Sequence, residues 1–213
     1  MNLQEIKECL KQYKIEIIER LVSKKWQSFK YYFYINENYQ KNNINDEFKK
    51  EFCKFYIMNA PTGLNNQQKE EFFNLMKLRE SDLKNILLKL YKIAGFRNRN
   101  SLLLSFGSKL LHTLNNDLPI YDKNISIVLC LPKQLYSKSF EEMLNNRLFI
   151  YEELKNNFKL LLKNVQIIEC IADIRQDLIK RAQEDNFKWE NDLISDTKLL
   201  DFMLWALYSV KNE

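Results

Sequence analysis

Only three glycines and three prolines punctuate this chain of 213 residues. Tight β-hairpins depend on Gly, Asn-Gly and Pro at fixed places, so the chain has little material for them. The apolar positions agree. Leu83, Ile86, Leu87, Leu90, Tyr91 and Ala94 follow the i, i+3, i+4, i+7, i+8, i+11 series of an amphipathic helix. Ser81 stands where its N-cap belongs, and Gly95 where a left-handed C-cap belongs. Similar patterns cover roughly 3–23, 46–58, 66–78, 124–131, 139–163, 166–184 and 196–210. The expected fold is all-α, a single helical domain with an N-terminal helical arm. The one ambiguous run is Phe29-Lys30-Tyr31-Tyr32-Phe33-Tyr34-Ile35. Its aromatics suit a strand, but no partner strand is evident, so it reads as helix or an irregular aromatic segment. The asparagine-rich stretch 36–45 reads as a solvated linker, which divides the chain into an arm (1–45) and a body (46–213).

Composition narrows the class. An apolar fraction of 46% is ample for a packed core, and the 29% of charged residues are interspersed rather than blocked. No apolar run approaches the length of a membrane span, and the acidic N-terminus has no secretory character. The expected location is therefore the cytoplasm, with no membrane partner. Cys9, Cys53, Cys130 and Cys170 are scattered, and there is a single histidine. That pattern fits reduced thiols and calls for no metal and no cofactor. A net charge of +5 permits nucleic-acid binding without demanding it. The oligomeric state is not legible.

Chemistry concentrates in Ser105-Phe106-Gly107-Ser108-Lys109-Leu110-Leu111-His112, followed by Pro119-Ile120-Tyr121-Asp122. Ahead of it, Gly95-Phe96-Arg97-Asn98-Arg99 reads as a hairpin between two helices, the second starting near Asn100. Free amides at that helix start, beside Arg97, Asn98 and Arg99, would suit a phosphate. The same residues also fit an exposed, solvated turn. Ser105, Ser108, Lys109 and His112 fall at i, i+3, i+4, i+7, opposite an apolar stripe of Leu103, Phe106, Leu110 and Leu114. Such a polar stripe is either a wet face or one wall of a cleft. Asp122 opens the next helix, where a carboxylate caps amides near Ile125 or, still ionised, faces a substrate. The two roles are compatible.

Helix, hairpin, helix, loop and Pro-x-x-Asp resembles the helix–hairpin–helix DNA glycosylase superfamily. The run from Ser105 to His112 resembles its bacterial 8-oxoguanine DNA glycosylase-like group. The likeness covers about residues 80–131. It implies a helix–hairpin–helix core, a cleft beside the hairpin, and DNA as partner with a flipped, damaged or modified base as substrate. It implies that Asp122 is the catalytic carboxylate and that a nucleophilic lysine would fall near Leu104. Lys109, more than one turn further along, is the second catalytic candidate, with Ser105, Ser108, His112 and Tyr121 as pocket residues. The glycine-rich hairpin of that superfamily is replaced here by Ile93-Ala94-Gly95-Phe96-Arg97-Asn98-Arg99, and no four-cysteine cluster follows the aspartate. A catalytically idle module that binds nucleic acid or protein is the alternative, as is a structural helical subunit of a bacterial defence or mobile-element system.

At the C-terminus, Leu199 to Leu207 is apolar nearly all round except for Asp201, which would need a basic partner. Trp26, Trp189 and Trp205 read as core or interface anchors. Arg147, Lys155, Lys159 and Lys163 read as a solvated face.

Overall fold

The computed structural model describes residues 1–61, 63–137 and 139–212. Helix accounts for 71% of the chain. Among the described residues there is no strand, and no helix is long and apolar enough to cross a membrane. In chain order the α-helices are α1 (Leu3–Gln12), α2 (Lys14–Gln40), α3 (Asp46–Phe55), α4 (Asn66–Lys77), α5 (Leu83–Tyr91), α6 (Leu104–Leu114), α7 (Lys123–Val128), α8 (Phe140–Leu161), α9 (Val165–Glu184) and α10 (Asp196–Lys211).

Asparagine, aspartate and serine start most of them. Asn2, Asn45, Asn65, Asp82, Ser139, Asn164 and Ser195 each accept a backbone N–H of the first turn, as N-cap residues do. The cap of α5 is thus Asp82 rather than Ser81. Carboxylate oxygens accept from the amides of Lys84 and Asn85, where a serine hydroxyl one residue earlier would fall short.

Helix ends are built without glycine. No glycine has a positive φ, whereas Asn42, Ile57, Arg79, Cys130 and Asn186 do. Each follows a helix, and the amide after it bonds back to the carbonyl of the helix's third-last residue: Asn43 to Asn38, Met58 to Cys53, Glu80 to Leu75, Leu131 to Ser126, Phe187 to Ala182. These are Schellman closures. Gly95 is not one of them. A Cβ there would lie 2.9 Å from Nε2 of Gln68, whose amide reaches past Gly95 to the carbonyl of Ile93. The residue is small for close approach and not for handedness. Ile57 is the most strained of the five closures, because a β-branched side chain crowds the left-handed region. It is also 71% exposed, so little packing offsets the strain. Ile57→Gly should raise stability by about 1 kcal/mol, or about 2–4 °C in melting temperature. A lower melting temperature would show that the isoleucine side chain contributes packing.

The aromatic run 29–35 lies inside α2 and is helical. Ser23 to Trp26 break that helix, with Lys24, Lys25 and Trp26 left-handed in succession. The break turns the Trp26 indole inward, where Nε1 donates to Asp185 at 2.8 Å and the ring stacks on Phe187. Residues 36–40 complete α2, with Asn36 and Tyr39 buried, so the linker shrinks to 41–45. The arm packs into the body: α2 lies against α3, α9 and α10, and Phe29 and Tyr32 are fully buried. Helix α10 runs through the centre, against α2, α7 and α9. Arg147 on α8 is buried rather than solvated, and donates from Nη1 to the carbonyl of Leu135 at 3.0 Å.

Candidate functional site

Helices α5 and α6 pack closely because Gly107 lets them. A Cβ at that position would come within 2.9 Å of Leu83 Cδ1. Beyond the hairpin, α6 starts at Leu104 and not near Asn100. The intervening residues are spent tying the connection back to α5. The amide of Gly95 donates to the carbonyl of Arg99, and Nδ2 of Asn100 donates to the carbonyl of Tyr91.

The polar stripe on α6 is neither a wet face nor simply a cleft wall. Ser108 and His112 are buried. Ser108 Oγ donates to the carbonyl of Ser105 and accepts the amide of Tyr121 at 2.9 Å. His112 Nδ1 donates to the carbonyl of Leu118 at 2.7 Å, which fixes the tautomer, so Nε2 accepts from the Tyr32 hydroxyl at 3.1 Å. The connection to α7 is held from two more sides. Tyr151 donates to the carbonyl of Pro119, and Ser195 to that of Asn116. These bonds fix the approach to Asp122, whose Oδ1 accepts the amide of Asn124 at 2.7 Å, one residue earlier than the sequence suggested.

His112 is thereby a structural residue behind the site. Burial, and then the charge of Lys198, push its imidazole down to about 3. The sign follows directly. The unfolded chain takes up a proton near pH 6.5 that the folded chain refuses, so stability falls as pH drops below about 6.5. Within that window the loss approaches about 1.4 kcal/mol per pH unit. This is the only histidine in the chain. Its single imidazole NMR signal should stay at the neutral position from pH 8 to pH 5, and a midpoint near 6.5 would contradict the buried, bonded ring.

Lys109 and Asp122 come to one cleft. Both line a cleft of about 400 Å³, together with residues of α2, α3 and α10. Lys109 Nζ donates to Ser105 Oγ at 3.0 Å and lies over the rings of Phe106 and Tyr56, at 4.8 and 5.6 Å from their centroids. Burial lowers its ammonium to about 8, against the attraction of Asp122, which favours the charged form. Ser105, Ser108, His112 and Tyr121 support the cleft and are not among its lining residues. Arg97, Asn98 and Arg99 do not line it either. All three are exposed, and Arg97 and Asn98 are left-handed.

Three contributions come from segments far away in sequence. Helix α10 brings Lys198, Asp201 and Trp205 into the cleft. Lys198 and Asp201 form a buried ion pair at 2.6 Å. The ammonium lies 4.2 Å from the Phe202 ring centroid and 5.2 Å from that of Tyr32. Asp201 is pushed up by burial and held back by Lys198. Trp205 is no core anchor: it is 36% exposed, with the Arg20 guanidinium 5.8 Å from its centroid. Helix α2 adds Arg20 and Lys24, and α3 adds Lys54. With Lys109 and Lys198, five cationic side chains among the described residues stand against two carboxylates. A cleft so charged, with aromatic walls, suits a flat ligand attached to phosphate. No protein family, no curated protein and no solved structure matches the chain.

Proposed function

We propose that this cleft cleaves the N-glycosidic bond of a damaged or modified base in DNA. The observation that supports it most is the convergence of Lys109 and Asp122, from α6 and the start of α7, on one aromatic-walled, cationic cleft. Asp122 stabilises the positive charge that develops on the sugar as the C1′–N bond breaks. Lys109, lowered to about 8, holds a free-amine fraction near neutral pH and can attack C1′. A bond from Nζ to C1′ then forms as the bond to the base breaks. The base leaves with the electron pair and takes up a proton. Loss of the amine's proton and opening of the sugar ring give an imine.

Borohydride reduces such an imine to a stable amine, so the protein incubated with oligonucleotides bearing oxidised or alkylated bases should be trapped as a covalent adduct. Lys109→Gln should remove the adduct. The adduct should form faster as pH rises through about 8, because the ammonium must lose its proton before attack. Base release without any trapped adduct would assign the attack to water, oriented by Asp122, and leave Lys109 as a binding cation.

A further inference from the structure

The carboxylate of Asp201 is only half used by the protein. The residue is 5% exposed, and its Oδ2 accepts from Lys198 at 2.6 Å. Its Oδ1 is buried with no hydrogen-bond partner among the described residues, while the residue lines the cleft. Buried carboxylate oxygens are normally satisfied, so an orphan on a cleft wall calls for a donor from outside the chain. Lys198 cannot swing across to supply it. Its ammonium is held over the rings of Phe202, Tyr32 and Phe55 as well as against Oδ2. One oxygen is therefore fixed and the other unpaired.

The surroundings define the donor. Trp205 follows Asp201 by four residues, one helical turn, and lines the same cleft. It is 36% exposed on that wall. An acceptor oxygen next to an ammonium matches an edge with an N–H beside a carbonyl. The cationic surroundings favour such a lactam edge, whose carbonyl oxygen carries more negative charge than a ring nitrogen.

We infer that Asp201 selects the base: its Oδ1 accepts the lactam N–H of a flipped nucleobase of the hypoxanthine, guanine or uracil type, with the base plane on Trp205. This rests on the cleft being the site of a flipped nucleotide, but it concerns recognition and is separable from bond cleavage.

The test is binding, in full-length protein carrying Asp122→Asn so that no turnover intervenes. The probes are two short single-stranded DNAs that differ only by a methyl group on N1 of one base, one with a central deoxyinosine and one with 1-methyldeoxyinosine. Titrations are followed by tryptophan fluorescence. The deoxyinosine strand should bind at least about tenfold more tightly, since methylation leaves the buried oxygen unpaired. Adding Asp201→Asn should bring that ratio to about one. Lys198 keeps the amide oxygen, so the amide NH₂ meets the lactam N–H. A role in stability alone would weaken both strands equally and leave the ratio intact. Should Asp201→Asn fail to fold, the pair Lys198→Met with Asp201→Leu removes both charges together and should give the same loss of discrimination. Equal binding of the two strands by the Asp122→Asn protein would overturn the inference, as would a ratio that survives at Asp201→Asn or no binding of either strand. Discrimination without any base release would leave the inference standing and reject the glycosylase reading. Base release with equal binding would do the reverse.

Discussion

Asp122→Asn should reduce base release by at least about a thousandfold, on the scale of losing a charged group that acts only in the transition state, while the protein stays folded. The geometry separates the two roles of this residue. As a cap, Asp122 accepts the amide of Asn124 at 2.7 Å. Asparagine retains a side-chain oxygen of the same reach and is as good an N-cap, so stability should change by less than about 1 kcal/mol. As a charge beside a developing oxocarbenium ion, asparagine retains nothing. Steady-state release kinetics with a thermal melt on the same preparation read both at once. A fall in rate matched by a collapse in melting temperature would make the carboxylate structural. A melt that holds with kcat unchanged would remove Asp122 from the chemistry.

The second large effect is on folding. Lys198→Met strands the Asp201 carboxylate in the interior, and breaking a buried pair from one side costs about 3–5 kcal/mol. The chain can relieve part of this by protonating Asp201, whose burial already favours the neutral acid. The sign of the pH dependence follows. Raising the folded-state pKa of a carboxyl means that the folded form binds a proton the unfolded form has lost. The variant should therefore regain stability relative to wild type as pH falls toward the acid range. Lys198→Met combined with Asp201→Leu should recover most of the loss at neutral pH, because no charge is then left buried. Chemical denaturation of the wild type and the two variants at pH 7 and pH 5 checks this. Equal destabilisation by the single and double variants would mean that Lys198 matters for its packing and not for its charge.

The fold was largely legible because its evidence is local. Helical periodicity and scarce glycine decide all-α on their own, and the apolar girdle of α10 announces a buried helix whose Asp201 needs a base. The site was legible only in part. Lys109 and Asp122 stood out by residue type and by the Pro119 approach, and they do share a cleft. The stripe through Ser108 and His112 was ambiguous for a physical reason. A polar side chain on a helix looks the same in sequence whether it meets water or a backbone group from elsewhere. Its partners, the Leu118 carbonyl, the Tyr121 amide and the Tyr32 hydroxyl, are known only once the chain is folded. The contribution of α10 was hidden for the same reason. Asp201 lies 79 residues after Asp122 by number, and nothing local links them. Trp205 reads in sequence as a core or interface anchor, and its 36% exposure beside Arg20 rules out the core.

The most direct test of the central claim is a comparison of free bases released from DNA. Oligonucleotides with a panel of oxidised, deaminated and alkylated bases are incubated with the wild-type protein and, in parallel, with Asp122→Asn, and free bases are measured by mass spectrometry. The cleft chemistry described here predicts at least one base that appears with the wild type and not with the variant, leaving an abasic or cleaved sugar in the strand. Identical base profiles from the two proteins across the whole panel would contradict it.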